Sequence, residues 1–312
     1  MSGATDPIVS VVIATYNRSY VLRHAIQSVC RSTLADWELI VVGDACTDDT
    51  AEVVASFLDP RIRFVNLPQR CGDQSGPNNC GVTEARGRYV AFLNHNDFYL
   101  PEHLATCVKE LETGRDDFVW VAGAAALPKT AAIQSDRPFR FMLSGVPDGA
   151  DYTPLSFCLA SCWVFRRSLA GRVGPWTHAA LTYVTPSQAW LFRVWRSGAK
   201  MRFLPTVSVV LIPADQWPGS YARRESPQHE WLSQRMRDDP KFRETLLEEA
   251  AIGEAMQHLL HARHPLIRRL LLRPIYALLT ALGMHPYSLS LAILHGRRGN
   301  MIRKHKERGG IR

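Results

Sequence analysis

Acidic residues all but vanish from the end of this chain. From His261 to Arg312 one acid, Glu307, stands against eleven Lys and Arg, a net of +10, so residues 1–260 carry −2 of the formal +8. A uniformly basic, nucleic-acid-coating chain is thereby excluded, no nucleic-acid recognition motif is present, and no nucleic-acid partner is expected. Long apolar runs are also missing. The tail alternates apolar stretches with Arg and Lys and never reaches the ~18 uninterrupted apolar residues of a spanning helix. Cysteines are few and unpaired in pattern: seven, with no C-x-x-C, which fits reduced thiols better than a disulfide frame or zinc site, with Cys158 and Cys162 most simply core residues. The first residues, "MSGATDPIVSVVIATYN", lack a basic n-region, so a cytoplasmic protein is expected. No repeat or low-complexity tract occurs.

Glycine is absent from one telling place. The first apolar run, "IVSVVIATYN", reads as a strand, and a helix follows over Tyr20–Ser32 through Val21, Leu22, Ala25, Ile26 and Val29. A dinucleotide-binding turn there would need glycines so that backbone amides can approach a pyrophosphate. The turn is "ATYNR", better suited to side chains that hold a base or sugar.

What is present alternates. "WELIVVG" predicts a strand, "TDDTAEVVASFL" a helix capped by Thr47 with acids in its first turn, "IRFVNL" a strand, "NNCGVTEAR" a short helix and "YVAFLNHNDFYLP" a further strand. Such alternation implies a mainly parallel sheet with helices on both faces and a ligand site at the carboxyl ends of its strands. Beyond Leu111 the pattern loosens, with Pro and Gly scattered from Gly123 to Pro154. "LASCWVFRRSL", a helix-like "PSQAWLFRVWRSG", a strand "TVSVVLIP", a loop over Ala214–Pro227 and helices from Gln228 onward follow. With 312 residues and 46% hydrophobic composition, the chain can bury one large α/β core, or a core of about 200 residues with a smaller appendage.

Four ordered pieces, "VSVVIATYNR", "WELIVVGDACTDDT", "NNCGVTEARGRYVAFLNHND" and "LP" across residues 8–101, resemble family 2 glycosyltransferases of the GT-A fold. A fainter likeness continues through "VFRRSLAGRVGPW" and "WLFRVWRSG" to about residue 212. The resemblance implies a GT-A type, Rossmann-like α/β sheet over residues 1–225, with a basic helical extension over 226–312. It implies inverting transfer of a sugar from a nucleotide-sugar donor, with UDP expected, to a glycan or lipid-linked hydroxyl. The nucleotide would be held by Ala14, Tyr16, Asn17, Asp44, Asn78 and Arg223. An aromatic face and a carboxylate at neighbouring strand ends suit a planar ring with an imide N–H. The lesser alternative for Asp44 is a cap of the turn "CTDDT", and Arg223 and Arg224 can be solvated loop residues. Two departures loosen the implied grip: Gly43 replaces a carboxylate and Asn78 an arginine.

The sharpest departures concern charge. The family's Asp-x-Asp, which holds a divalent cation against the departing diphosphate, falls on Asn94 and Asn96. Each change removes a full negative charge, so Mg²⁺ or Mn²⁺ is expected to bind weakly or be dispensable, with Asn96 and Asp97 as the remaining ligands. His95 is expected to ligate metal, to assist the diphosphate when protonated, or simply to hydrogen-bond at a strand end. The acceptor's proton needs a base, which the resemblance implies on an acidic pair at Gln188 and Ala189. Alanine accepts no proton. That leaves a base elsewhere, with Asp148, Asp151 and His178 as candidates, an impaired enzyme, or an Asp-to-Ala replacement. An enzyme is the leading expectation, with a sugar-nucleotide-binding protein beside it. His258, His261 and His264 drift around a helix without an interleaved carboxylate and are expected to be surface or packing residues. The basic tail suits an anionic membrane surface, peripheral on the inner face, or helices packed on the core with a solvated edge.

Overall fold

A computed structural model describes residues 6–128, 139–147, 151–217, 219–261 and 274–310. Asp148 and His264 lie outside the described residues, as do the side chains of His258 and His261.

Continuous runs of branched apolar residues make strands that can be buried on both faces. β1 (Val9–Thr15), β2 (Trp37–Gly43), β3 (Ile62–Asn66) and β4 (Tyr89–Phe92) lie parallel in the order β3-β2-β1-β4. α1 (Ser19–Cys30), α2 (Thr50–Ala55) and α3 (Ser75–Glu84) make the crossovers. The sheet continues β8-β6-β9-β5, with β7 also on β6: β5 (Phe98–Tyr99), β6 (Phe118–Pro128), β7 (Phe139–Ser144), β8 (Trp163–Arg166) and β9 (Met201–Leu211). β8 runs antiparallel to β4 and β6, while β6 and β9 are parallel. The result is a mixed α/β sheet in which most residue pairings are parallel, as expected.

Three local expectations change. α2 opens at Thr50, not Thr47, because Thr47 is drawn into the neighbouring loop: its N–H donates to Asn17 Oδ1 at 2.8 Å. The run "YVAFLNHNDFYLP" breaks into β4 and β5 around a turn closed by Asp97 N–H donating to Asn94 O. β6, eleven residues long, lies where the pattern loosened. Its middle, "VAGAAA", is small because β9 presses on it: a Cβ on Gly123 would sit 2.5 Å from Leu211 Cδ1.

α4 (His103–Thr113), α5 (Arg167–Val173) and α6 (Pro186–Arg196) cover the second half of the sheet. Trp190 of α6 forms a triangle with Trp163 and Trp176, with ring centroids 6.0 and 5.9 Å away, and its Nε1–H donates to Gly174 O at 2.9 Å. These fully desolvated aromatics fix where α6 begins. α7 (Pro227–Asp238) and α8 (Phe242–His261) bring Leu232, Phe242 and Leu246 onto Phe139 and Phe141 of β7. A helical stretch over residues 274–281 (α9), α10 (Ser288–His295) and α11 (Asn300–Gly309) follow. α11 is tied at its start by Gly299 N–H to Thr182 O (3.0 Å) and near its end by Gly219 N–H to Arg308 O (3.1 Å). That path lays α11 across the carboxyl ends of the strands.

Candidate functional site

The parallel strands point their carboxyl ends into a cleft of about 700 Å³. Ala14, Thr15 and Tyr16 line it from β1, Asp44 from β2, Asn94, His95, Asn96 and Asp97 from the turn after β4, and Thr185, Pro186 and Ser187 from the start of α6. Met301, Ile302, His305 and Lys306 of α11 form its outer wall.

At one end an aromatic and a carboxylate face each other's strands. Arg70 lies 4.0 Å over the Tyr16 ring, a face that a planar base can also take. Asp44 accepts from Cys71 N–H (2.6 Å) on one oxygen and from Gly72 N–H (2.8 Å) on the other, which clamps the 71–72 loop beside the cleft. Each oxygen keeps a lone pair for a ligand. Gly43 has a local cause: a Cβ there would fall 2.5 Å from Asn66 Oδ1, and the Asn66 amide is held in place by both the N–H and the carbonyl of Cys46. Lys306 Nζ donates to Gly72 O, and burial lowers its pKa, aided by Arg70 and opposed by Asp73 and Asp44.

Two expected nucleotide residues take other places. Asn17, in the left-handed region at φ 48°, does not line the cleft; its side chain bridges to Thr47 and Asp48, joining the loops after β1 and β2. Asn78 is buried in α3, and its neighbour Pro77 reaches the cleft instead.

The turn after β4 is a closed hydrogen-bond knot. Asp97, 2% exposed, accepts from Ser161 Oγ (2.6 Å) and Asn94 Nδ2 (2.8 Å) on Oδ2 and from Ile212 N–H (2.9 Å) on Oδ1. Burial pushes its pKa up, while these three donors hold it down. Asn96 Nδ2 donates to Ile212 O. His95 is buried, with Nδ1 3.2 Å from Ala14 O and Nε2 3.5 Å from Arg18 Nη1. Burial first, then Arg18, lowers its pKa to about 3. The imidazole is therefore neutral, and assistance to a diphosphate by a protonated His95 is set aside.

In this knot a cation would find the amide oxygens of Asn94 and Asn96 and the one lone pair left on Asp97 Oδ1, which accepts a single bond from Ile212 N–H. A hard divalent ion finds a poor fit. Among the described residues one other group, Cys71, Asp73 and His178, brings potential ligand atoms within 4.8 Å of one another. There His178 Nδ1 accepts from Ala180 N–H at 3.1 Å, which puts the ring proton on Nε2, facing Cys71 O at 3.0 Å and Asp73 Oδ2 at 3.4 Å. The ring has no lone pair to offer a metal in that tautomer. The same bonds give His178 a structural role as the cap of residues 179–181.

At α6, Thr185 and Gln188 form a reciprocal capping box: Thr185 Oγ1 accepts from Gln188 N–H (3.2 Å), and Gln188 Oε1 accepts from Thr185 N–H. Gln188 is thus committed to starting the helix. Neither it nor Ala189 lines the cleft; Ser187, 6% exposed, does. Asp151 is exposed and does not line it either.

A second cavity of about 640 Å³ shares Asn96, Ile212 and Ala214 with the cleft and is lined also by Arg18, Arg223 and Arg224. Arg18 is 2% exposed. Its depth could not be foreseen from "TYNRS", where it reads as an ordinary surface residue at a helix start.

Comparison with known proteins agrees with this architecture. The sequence profile of Glycosyl transferase family 2 matches residues 10–174, more than half of the chain. An Escherichia coli relative, UDP-Glc:alpha-D-GlcNAc-diphosphoundecaprenol beta-1,3-glucosyltransferase WfaP, is 30% identical over 106 residues, which are 34% of this chain and 42% of that protein. Each of the first curated relatives is matched over less than half of its own length. Among solved structures, S. aureus TarS 1-349 in complex with UDP-GlcNAc has a TM-score of 0.53 at 16% identity, covering 71% of this chain and 60% of that one. The mannosyltransferase PcManGT from Pyrobaculum calidifontis, in complex with GDP-Man and Mn²⁺, has a TM-score of 0.51 at 17% identity, covering 93% and 87%. The architecture is of the GT-A type. The chain belongs to glycosyl transferase family 2.

Proposed function

We propose that this chain transfers a sugar, glucose foremost, from UDP to a hydroxyl of a lipid-linked glycan with inversion. The acceptor oxygen attacks the anomeric carbon, the bond to the diphosphate breaks, UDP leaves with the electron pair, and the hydroxyl proton passes to a base. The single observation that carries the donor reading is that the Tyr16 ring and the Asp44 carboxylate line one cleft from neighbouring strand ends, a pair that suits a planar base with an imide N–H. The E. coli relatives WfaP and WfgD, named as UDP-Glc transferases onto diphosphoundecaprenol-linked GlcNAc, support the sugar and the acceptor class. On this reading residues 1–225 form the catalytic body, and 226–312 a helical extension whose α11 returns over the donor. Asp44→Ala is expected to weaken UDP binding by about 1.5–3 kcal/mol, the range for a hydrogen bond to a charged group. Calorimetry is the check, and unchanged affinity would remove Asp44 from the site.

One observation favours a second reading, a donor-binding protein with slow transfer. Among the described residues, the lining carboxylates Asp44, Asp73 and Asp97 all accept internal hydrogen bonds. Release of UDP that rises with lipid-linked acceptor supports the transferase; nucleotide affinity without turnover supports the binding protein.

The extension also suits a membrane surface. No helix among the described residues is long and apolar enough to cross a membrane. Yet Leu282, in the turn after α9, and Ile293 and Leu294, on α10, are 66%, 79% and 69% exposed, and the cationic α11 follows. An apolar face beside Arg and Lys fits an anionic bilayer interface. Because α11 walls the cleft, truncation would confound the test. Replacing Leu282, Ile293 and Leu294 by serine is expected to weaken binding to anionic vesicles by about tenfold or more, with wild-type binding falling as salt rises. Equal sedimentation of the wild type with neutral and anionic vesicles would favour another cover for this face.

A further inference from the structure

Arg18 caps the start of α1 and is 2% exposed, and among the described residues no carboxylate pairs with it. Neutral groups hold it: Nε donates to Tyr20 Oη at 3.1 Å, Nη2 approaches Ser220 O at 3.5 Å, Nη1 approaches His95 Nε2 at 3.5 Å, and the Tyr221 ring lies 4.3 Å beneath. None of these carries negative charge. Burying an unpaired guanidinium is costly, and a fold that keeps one without a counter-ion is pre-organised for an anion. The anion's side is marked by the second cavity, where Arg18 meets Arg223 and Arg224, with Glu225 as the acidic lining residue among the described residues, and which joins the donor cleft through Asn96, Ile212 and Ala214.

We propose that Arg18 is the group that neutralises the diphosphate of the donor, in the role that the amide-substituted Asn94–Asn96 turn is poorly equipped to give to a divalent cation. This rests on the nucleotide-sugar reading above. As the anomeric carbon–oxygen bond breaks, the electron pair stays on the diphosphate. A fixed guanidinium beside that oxygen lowers the barrier without a metal. The three neutral contacts orient Arg18 while leaving its charge uncompensated, and the Tyr221 ring, which also lines the donor cleft, lies against the guanidinium. Arg223 and Arg224 line the same cavity and add positive charge to it.

The test is the contribution of the phosphates, measured as the ratio of UDP to uridine affinity by calorimetry on the full chain in EDTA. Wild type is expected to bind UDP roughly 10- to 100-fold tighter than uridine, as for a charge-assisted hydrogen bond. Arg18→Met should bring that ratio to within about threefold with uridine affinity kept, and Arg18→Lys should retain part of it. A merely structural arginine would change both ligands alike. Collapse of the wild-type ratio in EDTA and its return with Mn²⁺ would overturn the proposal, and that arm stands even if Arg18→Met fails to fold. A full ratio in Arg18→Met would overturn it as well. Uridine binding without a phosphate gain sinks this inference alone, whereas failure to bind either ligand sinks the donor reading with it.

Discussion

Ser187→Asp raises the rate of sugar transfer at saturating donor by about 10²-fold or more, while Ala189→Asp leaves it within about threefold. The expected gain is that of a positioned general base, typically 10²–10⁴-fold. The difference between the two sites is one of direction. Ser187 lies at the first turn of α6 and lines the cleft, whereas Gln188 is held by the capping box and Ala189 lies off the cleft. A carboxylate at Ser187 would be stabilised by the α6 N-terminus, and its burial would keep it basic enough to accept a proton. Donor affinity should hardly move, because the base acts on the acceptor. Single-turnover release of UDP from UDP-glucose, with a polyprenyl-diphosphate-linked N-acetylglucosamine as acceptor, measures it. A gain with Ala189→Asp alone would return the base to the position that the family spacing implied. Equal rates for all three proteins would send the search to other residues.

The fold was legible wherever burial on both faces forced a run of branched residues, as in "IVSVVIAT" and "WELIVVG". It was obscure where packing demanded small residues: β6 was lost because Gly123 and its alanine neighbours accommodate Leu211, and no periodicity marks such a strand. Site residues divide in the same way. Tyr16 and Asp44 follow strand ends and reach the cleft as expected, because the chain leaving a parallel strand has little choice of direction. Asn17 and Gln188 carry side chains that serve a loop bridge and a helix cap instead, and local sequence cannot say which partner a short amide will choose. Lys306 and Arg18 were beyond reach. One comes from the far end of the chain, and the other looks like a solvated arginine until Tyr20, His95 and Ser220 close around it. The Asn94–Asn96 departures were visible, but not that Asp97 would spend its carboxylate on Ser161, Asn94 and Ile212.

Stability is expected to fall steeply as the pH drops below about 6.5, because four of the five buried histidines among the described residues have no carboxylate beside them, the fifth, His24, lying 3.4 Å from Glu230. His95 and His103 have pKa values lowered to about 3 and His285 to about 4, each chiefly by burial, and His229 is lowered well below its ordinary value for the same first reason. These rings have defined jobs. His103 Nδ1 lies 2.9 Å from Ser208 Oγ, and His229 Nε2 lies 2.9 Å from Asn96 O with Nδ1 2.6 Å from Ser226 Oγ, joining α7 to the site turn. A histidine with a depressed folded pKa is neutral in both states above the unfolded value of 6.5. Below it, the unfolded chain takes up a proton that the folded chain refuses, until the folded pKa is reached. Its stabilising contribution is therefore full above pH 6.5 and is lost between 6.5 and about 4 to 3. Each such group costs about 1.4 kcal/mol per pH unit inside the window. From pH 6.5 to 5 this is about 2 kcal/mol per histidine, and four together rival the 5–15 kcal/mol of a typical domain. Asp97 works with the opposite sign, since its raised pKa lets the folded state take up a proton first, but it is one group against four. Urea midpoints measured between pH 8 and 5 should be flat above 7 and collapse toward 5. The slope in the window should shrink by about one proton in a folded His103→Gln variant. A midpoint that stays constant from pH 7 to 5 would mean that these rings reach water or a carboxylate, and would undo the assignment of His95 as a permanently neutral acceptor for Arg18.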